Sequence, residues 1–420
     1  MQPFFKSIQI NNLLSFGPDS LPIELGPLNV IIGTNGSGKS NLFDVLALLK
    51  NAPGEFDKPI RESGCPLKEW FWKGENVSSS ANIDTVVSSL HHYILLSNNS
   101  ENLYIDDEWI GGEKDSPSSD SPFFHYGKYD GKYYAMHHQF ETEEESKARV
   151  KKIHEEMAEK GIVNYGYTSS QGISAFVPDS EKEKHTNFSA LSRFKHNEDK
   201  FGTLAYLADF YNNIHIYSTW TYGRKSPLRF PQNAYLSNKW LFEDGSNLFV
   251  VLKKIKDNEE SYSRYLEFLR QLYEGVDDFE IIQLDNLISI RLLEGGKHFP
   301  AARLSDGTLR YLMLLAVLCD PEPPAVVCIE EPEMGLHPDL VHVMAEALQY
   351  AAERTQVIVT THSVRLVDHF TPTPEVIQVC EKHEGQTYIE RLDPEELKPW
   401  LENYRLGDLW SSGGIGGNRW

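Results

Sequence analysis

Eight consecutive residues, Gly33-Thr34-Asn35-Gly36-Ser37-Gly38-Lys39-Ser40, combine backbone freedom with one cation and one hydroxyl. Glycines at this spacing let the main chain curl until its N–H groups point inward, an arrangement that suits phosphate oxygens. A helix starting at the end of the loop adds partial positive charge at the same place. Lys39 is expected to neutralise the β- and γ-phosphates of a nucleoside triphosphate, and the Ser40 hydroxyl to ligate magnesium. Asn41 carries the loop into its helix and is counted with the nucleotide-binding residues. A second group is acidic: Val326-Val327-Cys328-Ile329 runs into Glu330, Glu331, Pro332 and Glu333. An apolar strand ending in consecutive carboxylates places acids at the carboxyl edge of a parallel sheet, where ligands bind in α/β folds. Glu330 is expected to hold magnesium directly or through water, and Glu331 to polarise the attacking water as a general base. A third group is Leu304-Ser305-Asp306-Gly307-Thr308, ahead of the apolar run 309–318. Ser305 suits an N-cap, and Gly307 admits a phosphate close to the helix start.

Particular elements must carry these groups. The run 28–32 (LNVII) reads as a buried strand leading into the glycine loop. After the loop, Leu42, Val45, Leu46 and Leu49 recur at i, i+3, i+4 and i+7, which predicts an amphipathic helix over 39–50. Residues 1–32 and 81–110 alternate apolar and polar positions as strands do. The stretch 112–245 differs in character, with a Ser/Asp/Pro-rich loop at 115–122, a charged helix-like segment near 143–160 and aromatic-rich loops. It is read as a lobe inserted into a core made of 1–111 and 246–395. Within 246–395, helices are expected at 248–256 and 262–273 and strands at 279–284 and 287–293. From 304 to 380 helix and strand alternate, which suggests a parallel sheet flanked by helices. Residues 396–420 form a tail whose end, GDLWSSGGIGGNRW, reads as a docking or capping segment.

Composition narrows the function classes. A formal charge of −21 on 420 residues counts against coating nucleic acid by bulk electrostatics. The one basic and aromatic-rich stretch holds Lys182, Lys184, Arg193, Lys195, Lys200, Arg224, Lys225 and Arg229, with Trp220, Tyr222 and Phe230 nearby. Interleaved aromatics and cations can stack bases and pair phosphates. With Glu181, Glu183, Glu198 and Asp199 among them, the same residues also read as a solvated surface. No apolar run is long enough for a membrane span, and the opening MQPFFKSIQI lacks the layout of a signal peptide. The four cysteines are far apart and form no CxxC pair, so the cytoplasm is the expected compartment. His91-His92 and His137-His138 are discounted as metal ligands, because neighbours in a strand point to opposite faces.

The order GTNGSGKS, LSDGT, VVCIEEPE, VIVTTHS resembles the ABC-type ATPase heads of the RecF, SMC and OLD group. The opening IQINNLLSFG and the run EEPEMGLHP are typical of that group's compact bacterial members. The resemblance covers roughly 1–50 and 300–370. It implies an α/β P-loop NTPase of ABC-ATPase type, with a mixed β-sheet core and an inserted α+β lobe. It also implies that ATP and Mg²⁺ are bound and ATP hydrolysed at the interface of a homodimer. Ser305 and Gly307 of one copy would contact the γ-phosphate held by Lys39 of the other. Gly335, Leu336 and His337 would form the D-loop, and His362 would be the switch histidine that senses the γ-phosphate. The chain departs from the pattern at two places. Glu330 stands where many relatives carry Asp, and Asp306 brings a negative charge toward the incoming triphosphate, so low basal turnover is expected. No Toprim nuclease of the OLD kind is expected after His362. The resemblance points to phage defence or genome maintenance with a separately encoded effector, and a RecF-like, DNA-binding repair ATPase is the alternative. A transporter subunit is disfavoured by the large insert, the LSDGT signature and the lack of a glutamine soon after the P-loop helix.

Overall fold

Three short apolar runs build the centre of the molecule, and they need neighbours on both faces. The computed structural model describes residues 4–74, 79–99, 102–112, 124–129, 132–138, 171–176, 188–195, 198–218 and 223–417. Its strands are, in order, β1 (Phe5–Asn11), β2 (Ile23–Glu24), β3 (Leu28–Ile32), β4 (Ser80–Val87), β5 (Leu90–Asn98), β6 (Leu103–Gly112), β7 (Phe124–Tyr129), β8 (Lys132–His138), β9 (Gln171–Phe176), β10 (Ile214–Tyr217), β11 (Gln232–Asn233), β12 (Val276–Leu284), β13 (Leu287–Glu294), β14 (Lys297–Pro300), β15 (Val326–Glu330), β16 (Gln356–Thr360), β17 (Ile377–His383) and β18 (Gln386–Arg391).

The central sheet has six strands in the order β10-β15-β16-β3-β17-β18. All pair in parallel except β18, which returns antiparallel to β17. Period-two alternation sends its side chains into two cores. Val30, Ile32, Val327, Ile329, Val357 and Val359 enter one core, and Ile31, Val326, Cys328 and Ile358 the other. The first core is closed by the helices Leu248–Asp257, Glu259–Leu269, Asp306–Leu318 and Val341–Ala352. The second lies under the helix Lys39–Lys50 and an eight-stranded antiparallel sheet, β2-β1-β4-β5-β6-β7-β8-β9. Phe43 and Leu48 are buried along with the expected stripe, because this helix is covered from both sides. A smaller sheet is built on β13, which pairs with β12, β11 and β14. The result is the mixed α/β core that the sequence predicts.

The described strands of 112–245 join the sheets of this core. Strands β7, β8 and β9 extend the eight-stranded sheet, and β11 joins the small one. Strand β10 forms the edge of the central sheet, with Ile214 opposite Val326 and Tyr217 opposite Ile329. Buried Ile214 and Tyr217 explain the attachment, since they supply apolar cover for the edge of β15. The Ser/Asp/Pro-rich loop and the helix-like segment near 143–160 lie outside the described residues. Near the C-terminus, the helix Leu406–Ser411 docks on the helix Val364–His369, with the Gly407 N–H donating to Asp368 Oδ1 at 2.7 Å.

Candidate functional site

Because β3, β16 and β15 are neighbours in one parallel sheet, the loops at their carboxyl ends meet. Beyond β3 comes the glycine loop, beyond β15 the acids, and beyond β16 the segment Thr361, His362, Ser363. The loop is pinned by side chains that the nucleotide motif itself does not contain. The Ser15 hydroxyl accepts from Asn41 Nδ2 at 2.6 Å and lies 2.7 Å from Thr387 Oγ1, which is 2.6 Å from the Ser37 carbonyl. Gly38 has φ 111°, and a Cβ there would lie 2.1 Å from Thr387 Oγ1, so only glycine fits. The IQINNLLSFG opening thus has a structural reason: it delivers Ser15 to the loop.

Lys39 is buried, and its ammonium donates to the carbonyls of Gly33 at 2.8 Å and Thr34 at 2.9 Å. Burial holds its pKa below the usual lysine value, while Cys380, Glu331 and Glu330 oppose that shift. Ser40 Oγ donates to Glu330 Oε1 at 2.5 Å, which joins the start of the helix to the end of β15. One helical turn on, burial and then the charge of Glu330 push the Asp44 carboxyl up to about 6. Asp44 thus lies close enough to Glu330 to feel its charge, one turn from Ser40, a neighbour that the motif reading does not include.

Glu331 adopts φ 46°, a left-handed backbone that costs a non-glycine residue energy and is found where surroundings enforce it. Here the Glu331 N–H donates to the Thr360 carbonyl at 2.9 Å, and buried Arg310 donates to the Glu331 carbonyl. The Glu331 carboxylate lies 3.6 Å from His362 Nε2. Burial first, and Lys39 second, lower the His362 pKa below its ordinary value, against the opposing pull of Glu331, Glu333 and Glu330. Glu333 ties the two loops together by accepting from Thr361 Oγ1 at 2.7 Å and from the His362 N–H at 3.0 Å. Lys39, Ser40, Glu330, Glu331 and His362 are therefore gathered in one place.

Ser305 and Gly307 lie at a different place. Ser305 caps the helix Asp306–Leu318, accepting from the Thr308 N–H at 3.0 Å. A Cβ on Gly307 would lie 2.6 Å from the Gly335 carbonyl, so the signature touches the segment after the acids. Ser305, Gly307, Thr308, Tyr273 and 335–340 line an open cavity of about 810 Å³. The hydrogen-bond partners of Ser305, Asp306 and Gly307 lie in that neighbourhood and in 223–229, not in the glycine loop.

The negative charge expected at Asp306 is present and has a partner within the chain. Arg229 Nη2 donates to Asp306 Oδ1 at 2.6 Å and holds its carboxyl below the usual range, helped by the Gly223 N–H at 3.1 Å. Arg229 is thus engaged within the chain and is not a free cation for nucleic acid. Of the same basic stretch, Lys195 donates to the Pro53 carbonyl, while Lys182, Lys184, Trp220 and Tyr222 lie outside the described residues. His92 is buried between Tyr211, 2.9 Å from Nδ1, and Glu108, 3.0 Å from Nε2. No helix among the described residues is long and apolar enough to cross a membrane.

A family model described as "AAA domain, putative AbiEii toxin, Type IV TA system" matches residues 28–85 and 172–368, more than half of the chain. No curated protein matches the sequence. Among solved structures, an Smc head bound to the C-winged helix domain of ScpA superposes with a TM-score of 0.51 at 12% identity, covering 94% of this chain and 99% of that one. A Pyrococcus furiosus Smc head with an extended coiled coil, bound to the C-terminal domain of ScpA, gives 0.50 at 14% identity, covering 95% and 99%. At such identities the likeness is one of fold.

Proposed function

The chain belongs to the AAA domain family described as "putative AbiEii toxin, Type IV TA system", and on that premise we propose an ATP-hydrolysing switch whose two copies close around ATP and magnesium. The observation that carries this reading is the meeting of Ser40 with Glu330 at 2.5 Å, beside the Glu331–His362 pair at 3.6 Å. A magnesium ion fits there, since it needs one or two protein oxygens and completes its shell with phosphates and water. Once bound, the ion would neutralise charge building on the β- and γ-phosphates.

The remaining roles are assigned to the chain's own groups. The amides of Gly33, Thr34, Asn35, Gly36, Ser37 and Gly38, with Asn41, cradle the triphosphate, and Lys39 supplies the counter-charge. Glu331 accepts the proton of the attacking water. His362 offers a ring N–H to the γ-phosphate and reports its presence. Ser305 and Gly307 of a second copy complete the site from the other side. In support, none of the hydrogen bonds of Ser305 and no close approach of Gly307 is made to the glycine loop of their own chain.

The biological role follows as part of the same proposal: defence or genome maintenance together with a separately encoded effector. The family description reads "putative AbiEii toxin, Type IV TA system", and the similar Smc heads are bound to a domain of ScpA. Both support a head that signals to another protein. The DNA-binding alternative is weakened, because Arg229 is committed to Asp306.

Glu331→Gln tests the assignment. It is expected to keep ATP binding, to accumulate ATP-dependent dimers on gel filtration, and to lose turnover by about 10²- to 10⁴-fold. Unchanged turnover would mean that another group is the base.

A further inference from the structure

Asp306 begins the helix Asp306–Leu318, where a carboxylate suits the helix dipole but opposes an approaching phosphate. The structure meets this conflict with one guanidinium. Arg229 donates through Nη2 to Asp306 Oδ1 at 2.6 Å, through Nη1 to the carbonyls of Leu304 at 2.6 Å and Ala302 at 3.2 Å, and through Nε to the Gly223 carbonyl at 3.0 Å. The Gly223 N–H closes the ring on Asp306 Oδ1. Three segments, 223–229, 301–304 and the signature, are thereby fixed to one another.

The geometry is more than a surface ion pair. The Arg229 side chain is 13% exposed, against 43% for Asp306, so the cation sits inward and the carboxylate faces out. A planar fork can hold several acceptors in fixed directions, which a lysine cannot. Leu228, next to it, is buried, so the arginine stands on packed backbone. Two of its acceptors are carbonyls in the turn that leads directly into Ser305.

We infer that Arg229 is the positioning residue of the signature: it cancels the Asp306 charge and holds the helix start in the form that meets the γ-phosphate bound by a second copy of this chain. The inference rests on the reading of the site given above. Arg229 touches no nucleotide itself; it acts through Asp306 and the 302–304 carbonyls. It also makes the 223–229 turn a lever on the signature, so that anything moving this turn alters closure.

The test uses the full chain and reads ATP-dependent dimerisation, turnover, and monomer affinity for labelled ATP. Arg229→Ala is expected to keep that affinity within about twofold while dimerisation and turnover fall about tenfold or more. Adding Asp306→Asn should restore the part of the loss that comes from the uncompensated charge, leaving the part that comes from the lost carbonyl contacts. A pair that serves stability alone would instead leave the double variant about as impaired as Arg229→Ala, because either change already breaks the contact. If Arg229→Ala does not fold, Arg229→Gln, which removes the charge but keeps much of the volume and some donors, is compared with Arg229→Gln/Asp306→Asn, and restoration is read on that pair. Native dimerisation with Arg229→Ala equally active, or no restoration by Asp306→Asn, overturns the inference alone. Native protein that never dimerises with ATP overturns the site reading and the clamp with it.

Discussion

Asp44 is held one turn from Ser40 by the helix that both belong to, and its neighbour Glu330 is fixed by Ser40. Its carboxyl, pushed up to about 6, makes a pH-dependent term whose sign can be worked out. The folded chain holds this proton more tightly than the unfolded chain, so stability falls as pH rises from about 4 to about 6 and then levels off. The cost above pH 6 is on the order of 1–3 kcal/mol. Asp44→Asn is therefore expected to raise the melting temperature of the nucleotide-free protein by several degrees at pH 8 and by less at pH 5. Equal gains at both values would contradict the assignment. For the base His362 the same burial acts in the opposite direction and lowers its pKa.

The glycine loop is braced from behind by the tail. Trp410 is buried and donates from Nε1 to the Gly417 carbonyl at 3.0 Å, and the Gly417 N–H donates to Glu381 Oε1 at 2.7 Å. Gly417 has φ 69°, and a Cβ there would lie 3.0 Å from Val379 Cγ1 and 3.5 Å from the Gly33 Cα. Gly417→Val thus imposes backbone strain of about 1–2 kcal/mol and a side chain aimed at the first loop residue. It should weaken ATP binding several-fold in a titration with labelled nucleotide; unchanged affinity would mean the tail does not brace the loop. Elements with local signals were legible in the sequence. The helix Lys39–Lys50 matches its expected bounds, because a glycine loop precedes it and its apolar spacing is helical. The expected 262–273 helix instead spans Glu259–Leu269, since the Asn258 side chain caps it at the Ser261 N–H and starts it earlier. Contacts between distant segments were not legible: Arg229 and Asp306 stand far apart in the chain, and each carries an ordinary local pattern. The partner of the Asp306 charge was consequently not legible. In the same way β10 read as part of a separate lobe, because four residues of strand do not reveal which sheet they will join.

At the scale of the whole molecule the formal charge of −21 matters most. Two such copies, closing as proposed, would repel each other, and salt would screen that repulsion. ATP-dependent dimerisation of Glu331→Gln is therefore expected to strengthen between about 20 mM and 150 mM salt, where the screening length shortens from roughly 20 to 8 Å. Binding to DNA would show the reverse dependence, since released counterions make it weaken with salt. A gel shift that survives at 150 mM salt would return the DNA-binding alternative to the front. Closure, signalling and any effector all depend on one prior event, the capture of a triphosphate by the loop between β3 and its helix. The most direct measurement is uptake of labelled ATP by the purified native chain with Mg²⁺ present, beside Lys39→Ala. Saturable binding by the native protein, weakened about a hundredfold or more in the variant, is the expected result. No uptake by the native chain, or equal uptake by both, would contradict the account at its root.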